Sequence, residues 1–174
     1  QEGKIGSIGV ANFSVSQLRE SLEVAKITAL QVRFNLFDRV DDLLESCEKN
    51  NIALVAWGIL ADEILTGKFT HDTKFHEDDH RSKMPELRGE VFKTHLKCVS
   101  SLAEFAFSKK IKLSQLAIRW VLDSSKNTHE IFGAKTDKQV AENMGALGWK
   151  LSQKDMAVID GIIRTYRQKQ EPGS

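Results

Sequence analysis

The sequence holds 174 residues, 41% of them apolar and 28% charged, with a net charge of +1. That length and balance suit one soluble globular domain, and the near-neutral charge argues against a basic nucleic-acid-binding surface. No apolar run approaches the ~20 residues of a membrane-spanning helix, and the opening QEGKIGSIG lacks the apolar centre of a secretory signal.

In chain order, IGSIGV predicts a strand that ends on Asn12. A helix follows with Leu18, Leu22 and Ala25 on one face, capped by Ser14 with Gln17 as the capping-box partner. ALQVRF reads as a second strand ending at Asn35, and RVDDLLESCEKN as a second helix. IALVAW, ending at Trp57, is apolar enough to predict a third strand buried on both faces. A long polar connection over residues 70–89 follows. Then come two helical patterns, one through Phe92, Leu96, Val99, Leu102 and Phe105, the other from near Ser114 through Leu116, Ala117, Trp120 and Val121. HEIFGA predicts a fourth strand ending at Gly133-Ala134-Lys135. The helix after it has Thr136 and Gln139 as a second capping box, and a last helix begins at Ser152 before a tail, residues 168–174, expected to fray.

Alternating strands and helices of this kind form a parallel sheet with right-handed crossovers. Four such units fit either a small open doubly wound sheet or half of a (β/α) barrel. In both, ligands meet the carboxyl ends of the strands. Asn12, Gln31, Asn35, Trp57 and Lys135 are therefore the residues to watch, although Asn12 and Asn35 are equally consistent with closing turns. Gln31 is an amide inside an apolar strand and needs a partner. FGAKTDKQVAEN sets a glycine and a lysine before a helix N-terminus, a good phosphate site on physical grounds.

GKIGSIGVANFS, ALQVRFNLFDR, ILTGKF, HRSKMPELRGE, LAIRWVL and FGAKTDKQVAENMGAL, in this order, resemble the C-terminal half of the aldo-keto reductase family over nearly the whole chain. The resemblance implies a TIM-type (β/α) half barrel: four parallel βα units, the fifth to eighth of the full barrel, with one extra C-terminal helix. Residues 1–174 would then form one partial domain that binds NADP(H). It implies that Asn12 and Gln31 hold the nicotinamide carboxamide, Trp57 stacks on the ring, and Leu60, Ala61, Lys68 and Arg81 follow the pyrophosphate. Gly133, Lys135, Gln139, Glu142 and Asn143 would take the adenosine phosphate end. Three positions depart from the family pattern: Ala11 replaces Ser or Thr, Trp57 replaces Tyr, and Gly58-Ile59 replaces Ser-Pro.

The family's catalytic Asp, Tyr, Lys and His belong to its first four units, so this chain is expected to hold the cofactor half and no catalytic residue. Tyr166, the one tyrosine, falls in the last helix. The implied function is the cofactor-binding half of an NADP-dependent reductase of aldehydes or ketones; the alternatives are a non-catalytic binding or regulatory module on the same scaffold, and an unrelated flavodoxin-like sheet. The chain opens on Gln1 almost directly before a strand, which leads to the expectation of a longer protein. An open half barrel would expose a large apolar patch and either self-associate or pair with its missing half.

Cys47 and Cys98, in helical patterns, are expected as buried thiols of a reducing, cytoplasmic setting. His71, His76 and His80 with their acidic neighbours fit no closed metal site and read as a lid-like loop. His95 and His129 are expected to be structural, and Trp120 and Trp149 to lie in the core.

Overall fold

The structure, a computed structural model, describes residues 2–167, so the tail expected to fray lies outside the described residues. The order is β1 (Ile8–Ala11), α1 (Val15–Val24), β2 (Ile27–Arg33), α2 (Asp41–Lys49), β3 (Ala53–Trp57), α3 (Gly89–Ser108), α4 (Leu113–Asp123), β4 (Thr128–Glu130), α5 (Asp137–Met144) and α6 (Gln153–Arg167). The four strands form one sheet in the order β1-β2-β3-β4, every neighbouring pair parallel. A doubly wound sheet reverses its strand order part-way; this one does not. The winding is that of a (β/α) barrel, and a half barrel is compatible with it.

The register sorts the side chains into two faces, because neighbouring residues in a parallel ladder point the same way and alternate along each strand. One set of rows is Val10–Leu30–Leu54–Thr128 and Val32–Ala56–Glu130. Leu30, Leu54 and Ala56 of this set are fully buried beneath the helices. The other set is Gly9–Ala29–Ala53, Ala11–Gln31–Val55–His129 and Arg33–Trp57. Its members are half-buried or exposed. Three expectations change here. β3 is buried on one face only, since consecutive right-handed crossovers lay every helix on the same side. The open face is mixed rather than uniformly apolar: Ala11, Ala29, Ala53, Val55 and Trp57 share it with Gln31, Arg33 and His129. His129 is exposed on that face and has no packing role.

The core lies between the sheet and its helices. Phe34 meets the buried Trp120 of α4 with ring centroids 5.3 Å apart. Arg39 lies over the other part of this cluster, 4.8 Å from the Trp120 ring, and donates to Asp160 of α6 at 2.8 Å. Trp149, expected in the core, is only half-buried; its indole N–H donates to the Gly145 carbonyl at 2.9 Å. His95 stacks on Phe37 at 4.4 Å and contacts the Glu86 carbonyl, and its burial lowers its pKa. Cys47 and Cys98 are free and buried, and burial pushes their thiols up to about 11 and about 12. Among the described residues no helix is long and apolar enough to cross a membrane.

The predicted helix starts hold locally. Ser14 and Gln17 form the capping box of α1. Thr136 caps α5 by accepting the Gln139 N–H at 3.2 Å, but the Gln139 amide oxygen takes the Lys135 N–H at 2.6 Å, one residue earlier than a box requires. Residues 70–89 are more ordered than their polarity predicts, with 3-10 turns at His80–Lys83 and Pro85–Leu87. The fourth strand is shorter than the sequence implies. After Ile131 donates to the Ala56 carbonyl at 2.8 Å there is no further strand to pair with, because β3 turns away beyond Trp57; Gly133-Ala134-Lys135 leave the sheet.

Glu130 lies on the helix-covered face, and its Oε1 has no hydrogen-bond partner among the described residues. Burial pushes its carboxyl up to about 8, against the pull of Arg119. The unfolded chain releases this proton near the ordinary value of 4.5, while the folded chain keeps it to about 8. Stability is therefore expected to fall as pH rises between those values, by up to ~1.4 kcal/mol per pH unit for this one group. Urea midpoints measured from pH 5 to 8 should show that slope in wild type, and the difference should vanish in Glu130→Gln.

Candidate functional site

The carboxyl ends of β1, β2 and β3 are clipped together by polar groups. Asn12 sits at φ +56, a left-handed conformation that Asn tolerates. Its N–H donates to the Gln31 carbonyl at 2.7 Å. Its side-chain oxygen accepts the Trp57 indole N–H at 3.1 Å, spanning from β1 to the end of β3. Gln31 and Trp57 share the open face with it, and the Gln31 amide makes no hydrogen bond among the described residues. The Asn12 Nδ2 donors are likewise unengaged there. Asn12, Gln31 and Trp57 thus meet at one rim.

Arg33 belongs to this rim and was not foreseen. Two residues after Gln31, it points to the same face, and its guanidinium lies 5.6 Å from the Trp57 ring. It donates to Asp38 at 2.6 Å and to Asp62 at 2.9 Å. Burial opposes its charge, but the two carboxylates outweigh it and raise its pKa. The signal available in ALQVRF was a charged residue interrupting an apolar strand at period two. Gly58 fits against this side chain: an added Cβ would stand 3.3 Å from Arg33 Cγ, and φ is +66. Asn35 is a turn residue. Fully buried, it donates to Asp38 at 2.8 Å and the Gly58 carbonyl at 3.0 Å, and accepts the N–H groups of Phe37 and Asp38, both at 2.9 Å.

Beyond Trp57 the chain passes through Ala61, Asp62 and Glu63 at φ +46, +52 and +76. Three successive non-glycine residues in this region cost roughly 1–2 kcal/mol each, so the loop is held by its contacts. The Ile64 N–H donates to the Ala61 carbonyl at 3.1 Å, and Asp62 is tied to Arg33.

This loop forms one wall of a groove of about 700 Å³. Leu60, Glu63, Thr66 and Lys68 face Gly133, Lys135, Lys138, Gln139, Glu142 and Asn143 across it. Seven of the sequence-predicted residues therefore share one cavity, and Lys138 joins them unforeseen from the first turn of α5. Gly58 also lines the groove, which connects it to the Trp57 rim. Two expected residues stand apart. Ala61 is buried in the loop, and Arg81 lies behind the wall, with its guanidinium on Glu63 and Asp79.

The groove is electrostatically uneven. Glu63 pairs with Lys68 and Arg81; burial raises its pKa, but the two cations prevail and lower it. Glu142 is lowered chiefly by its bond to Lys112, and Ser114 donates to it at 3.3 Å. Lys135 and Lys138 have no ion pair among the described residues. The N–H groups of Asp137 and Lys138, in the first turn of α5, are free of backbone partners there. Cations and amide donors at one end, with a flat indole and an unengaged amide at the other, suit an elongated phosphate-bearing ligand with a planar polar group.

Tyr166 is far from this rim in the fold: its hydroxyl meets Ser101 Oγ at 3.0 Å between α6 and α3. His71 and His76 stand beside Asp72 and Asp78, and His80 between Asp62 and Asp79; among the described residues no three such side chains gather closely enough to hold a metal.

Residues 1–164 match the family model described as Aldo/keto reductase family. The chain belongs to that family. It is 33% identical over 164 residues to aldo-keto reductase YhdN of Bacillus subtilis, covering 92% of this chain and 50% of that protein. It is 31% identical to aldo-keto reductase yakc [NADP(+)] of Schizosaccharomyces pombe, covering 87% of this chain and 46% of that protein. The glycerol dehydrogenase AKR11B4 of Gluconobacter oxydans superposes with a TM-score of 0.89 at 33% identity, over 99% of this chain and 52% of that one. The chain thus spans about half the length of the relatives it matches.

Asn35 supports the site without lining it. Asn35→Ala would remove the donor to the half-buried Gly58 carbonyl and the side-chain acceptor of the Phe37 and Asp38 N–H groups. A loss of ~2–4 kcal/mol is expected, read as a lowered denaturation midpoint with an unchanged m-value.

Proposed function

We propose that this chain supplies the cofactor-binding half, the fifth to eighth βα units, of an NADP-dependent aldo-keto reductase that reduces aldehydes or ketones to alcohols. The observation that supports it most is the continuity of the Asn12–Gln31–Trp57 rim with the groove ending at Lys135 and Lys138. The residues present fit a nicotinamide dinucleotide. The free Nδ2 of Asn12 and the Gln31 amide would hold the carboxamide, with Ala11 offering no third bond. Trp57, its ring kept upright by the bond to Asn12, would cover the nicotinamide. Leu60, Ala61 and Lys68 would follow the pyrophosphate, with Arg81 behind them. Gly133, Lys135, Gln139, Glu142 and Asn143 would take the adenosine end, and Lys135 its 2′-phosphate.

When bound, the nicotinamide supplies a hydride to the carbonyl carbon. The proton for the carbonyl oxygen needs a donor within hydrogen-bond reach, and Tyr166, on the helical side, is not placed to give it. In this reading the donor and its partners come from four further βα units, which pair with the edges β1 and β4 and cover the open face. A second reading, a non-catalytic module, is favoured by the carboxylates of Asp62 and Glu63 in the groove, which oppose a phosphate ligand.

Fluorescence titration with NADPH and NADH tests the cofactor assignment. Lys135→Ala is expected to weaken NADPH about tenfold (~1.4 kcal/mol) and to leave NADH unchanged, while Trp57→Ala weakens both. Equal affinity of the wild type for the two cofactors would overturn the phosphate role of Lys135. For the open edges, residues 1–174 alone are expected to sediment as an oligomer and to form a one-to-one complex when the first half of the barrel is supplied. A monodisperse monomer that ignores the added half would contradict this.

A further inference from the structure

Glu63 is the feature of the groove that a phosphate-binding role does not account for. Its carboxylate sits on both Lys68, which lines the groove with it, and Arg81, which stands behind it. Both cations are positioned by other groups as well. Arg81 is held by Asp79, with Nη2 at 2.6 Å and Nε at 3.0 Å, and its guanidinium lies 5.1 Å from the Phe75 ring and 5.9 Å from the Phe69 ring. Lys68 lies 5.3 Å from the Phe69 ring, and the two rings meet edge to face at 5.2 Å. Without Glu63 the cations would keep their places, with Lys68 Nζ unpaired in the groove and Arg81 Nη1 unpaired behind the position that Glu63 vacates. The Glu63 side chain is 32% exposed, so a ligand in the groove can reach its carboxylate. Glu63 also closes the run of left-handed residues, so the loop presents this carboxylate in a conformation that local preference disfavours.

We propose that Glu63 is a built-in competitor, an intramolecular anion that occupies the Lys68–Arg81 pair and yields it to a phosphate-bearing ligand, and so sets the affinity of the groove. The inference rests on the dinucleotide reading above and adds a regulator to it. An entering phosphate takes over the two charge-assisted hydrogen bonds, and the freed carboxylate turns to solvent. Binding is then an exchange of one anion for another, and the net gain is smaller than the cations alone would give.

The test measures NADPH and inorganic pyrophosphate by titration calorimetry on the full chain, in wild type, Glu63→Gln and the double variant Glu63→Gln/Lys68→Ala. Glu63→Gln is expected to tighten both ligands about tenfold or more. The gain should shrink with added salt and disappear in the double variant. Neutralising a remote carboxylate, Glu45→Gln on α2, should change neither affinity; a comparable gain there would reduce the effect to net charge and overturn the proposal. A folded Glu63→Gln protein that binds NADPH no better than wild type overturns the competitor role and leaves the cofactor reading standing. Tighter pyrophosphate with no NADPH binding in any variant supports the competitor and overturns the cofactor reading. Failure of every variant to bind either ligand overturns both. Should Glu63→Gln not fold, Glu63→Asp, one methylene shorter, is expected to tighten pyrophosphate a few-fold, and unchanged affinity overturns the proposal.

Discussion

Winding four parallel strands in sequential order forces everything else in this chain. Each crossover has the same hand, so every helix lands on one side of the sheet. The two-residue period of a strand then divides its side chains between a covered face and a bare one. Leu30, Leu54 and Ala56 fall on the first, while Gln31, Arg33, Val55, Trp57 and His129 fall on the second. The same winding brings all four carboxyl ends to one rim. A polar group near a strand end and on the bare side is therefore delivered to a common point, whichever strand carries it. Asn12, from β1, and Trp57, from β3, touch for this reason despite 45 residues between them.

What keeps the rim in shape is a short chain of charges and amides. Asn35 fastens the β2 turn to the Gly58 carbonyl, Arg33 draws Asp38 and Asp62 to itself, and Asp62 anchors the left-handed run that shapes the groove wall. The groove is thus built from the covered side outwards. Hydrophobic packing places the strands, the buried Asn35 fixes the turn, and Arg33 passes that order to the loop. Gly58 belongs to this sequence through the 3.3 Å approach to Arg33, which gives a steric reason for glycine at that position.

Much of this was legible in the amino-acid order because it depends on near neighbours. Ser14 and Gln17 are three residues apart, and their reciprocal bonds follow from helix geometry alone. The alternation of βα units and the amides at strand ends are likewise local patterns. Misread features depended on what lies across the fold. IALVAW carries no mark of which side its cover comes from; composition implies burial on both faces, whereas the described residues cover only one. The fourth strand stops at Glu130 because its neighbour turns away, which residues 128–134 do not encode. The roles of Arg33 and Glu63 arise from partners 29 and 18 positions distant, and that of Lys138 from the opposite wall of a cavity. The burial of Glu130 belongs to the same class: nothing in HEIFGA shows that α4 packs against this strand.

The two thiols offer a practical handle. Cys47 and Cys98 are buried in the hydrophobic core, and their raised pKa leaves almost none of either as thiolate near neutrality. Maleimide chemistry on the native fold would pass them by. A single cysteine placed on an exposed stretch, such as α1 at Arg19 on the outer layer, could carry a dye or spin label with no background to remove. Distance measurements from such a label to the open face would then report directly on what comes to cover it.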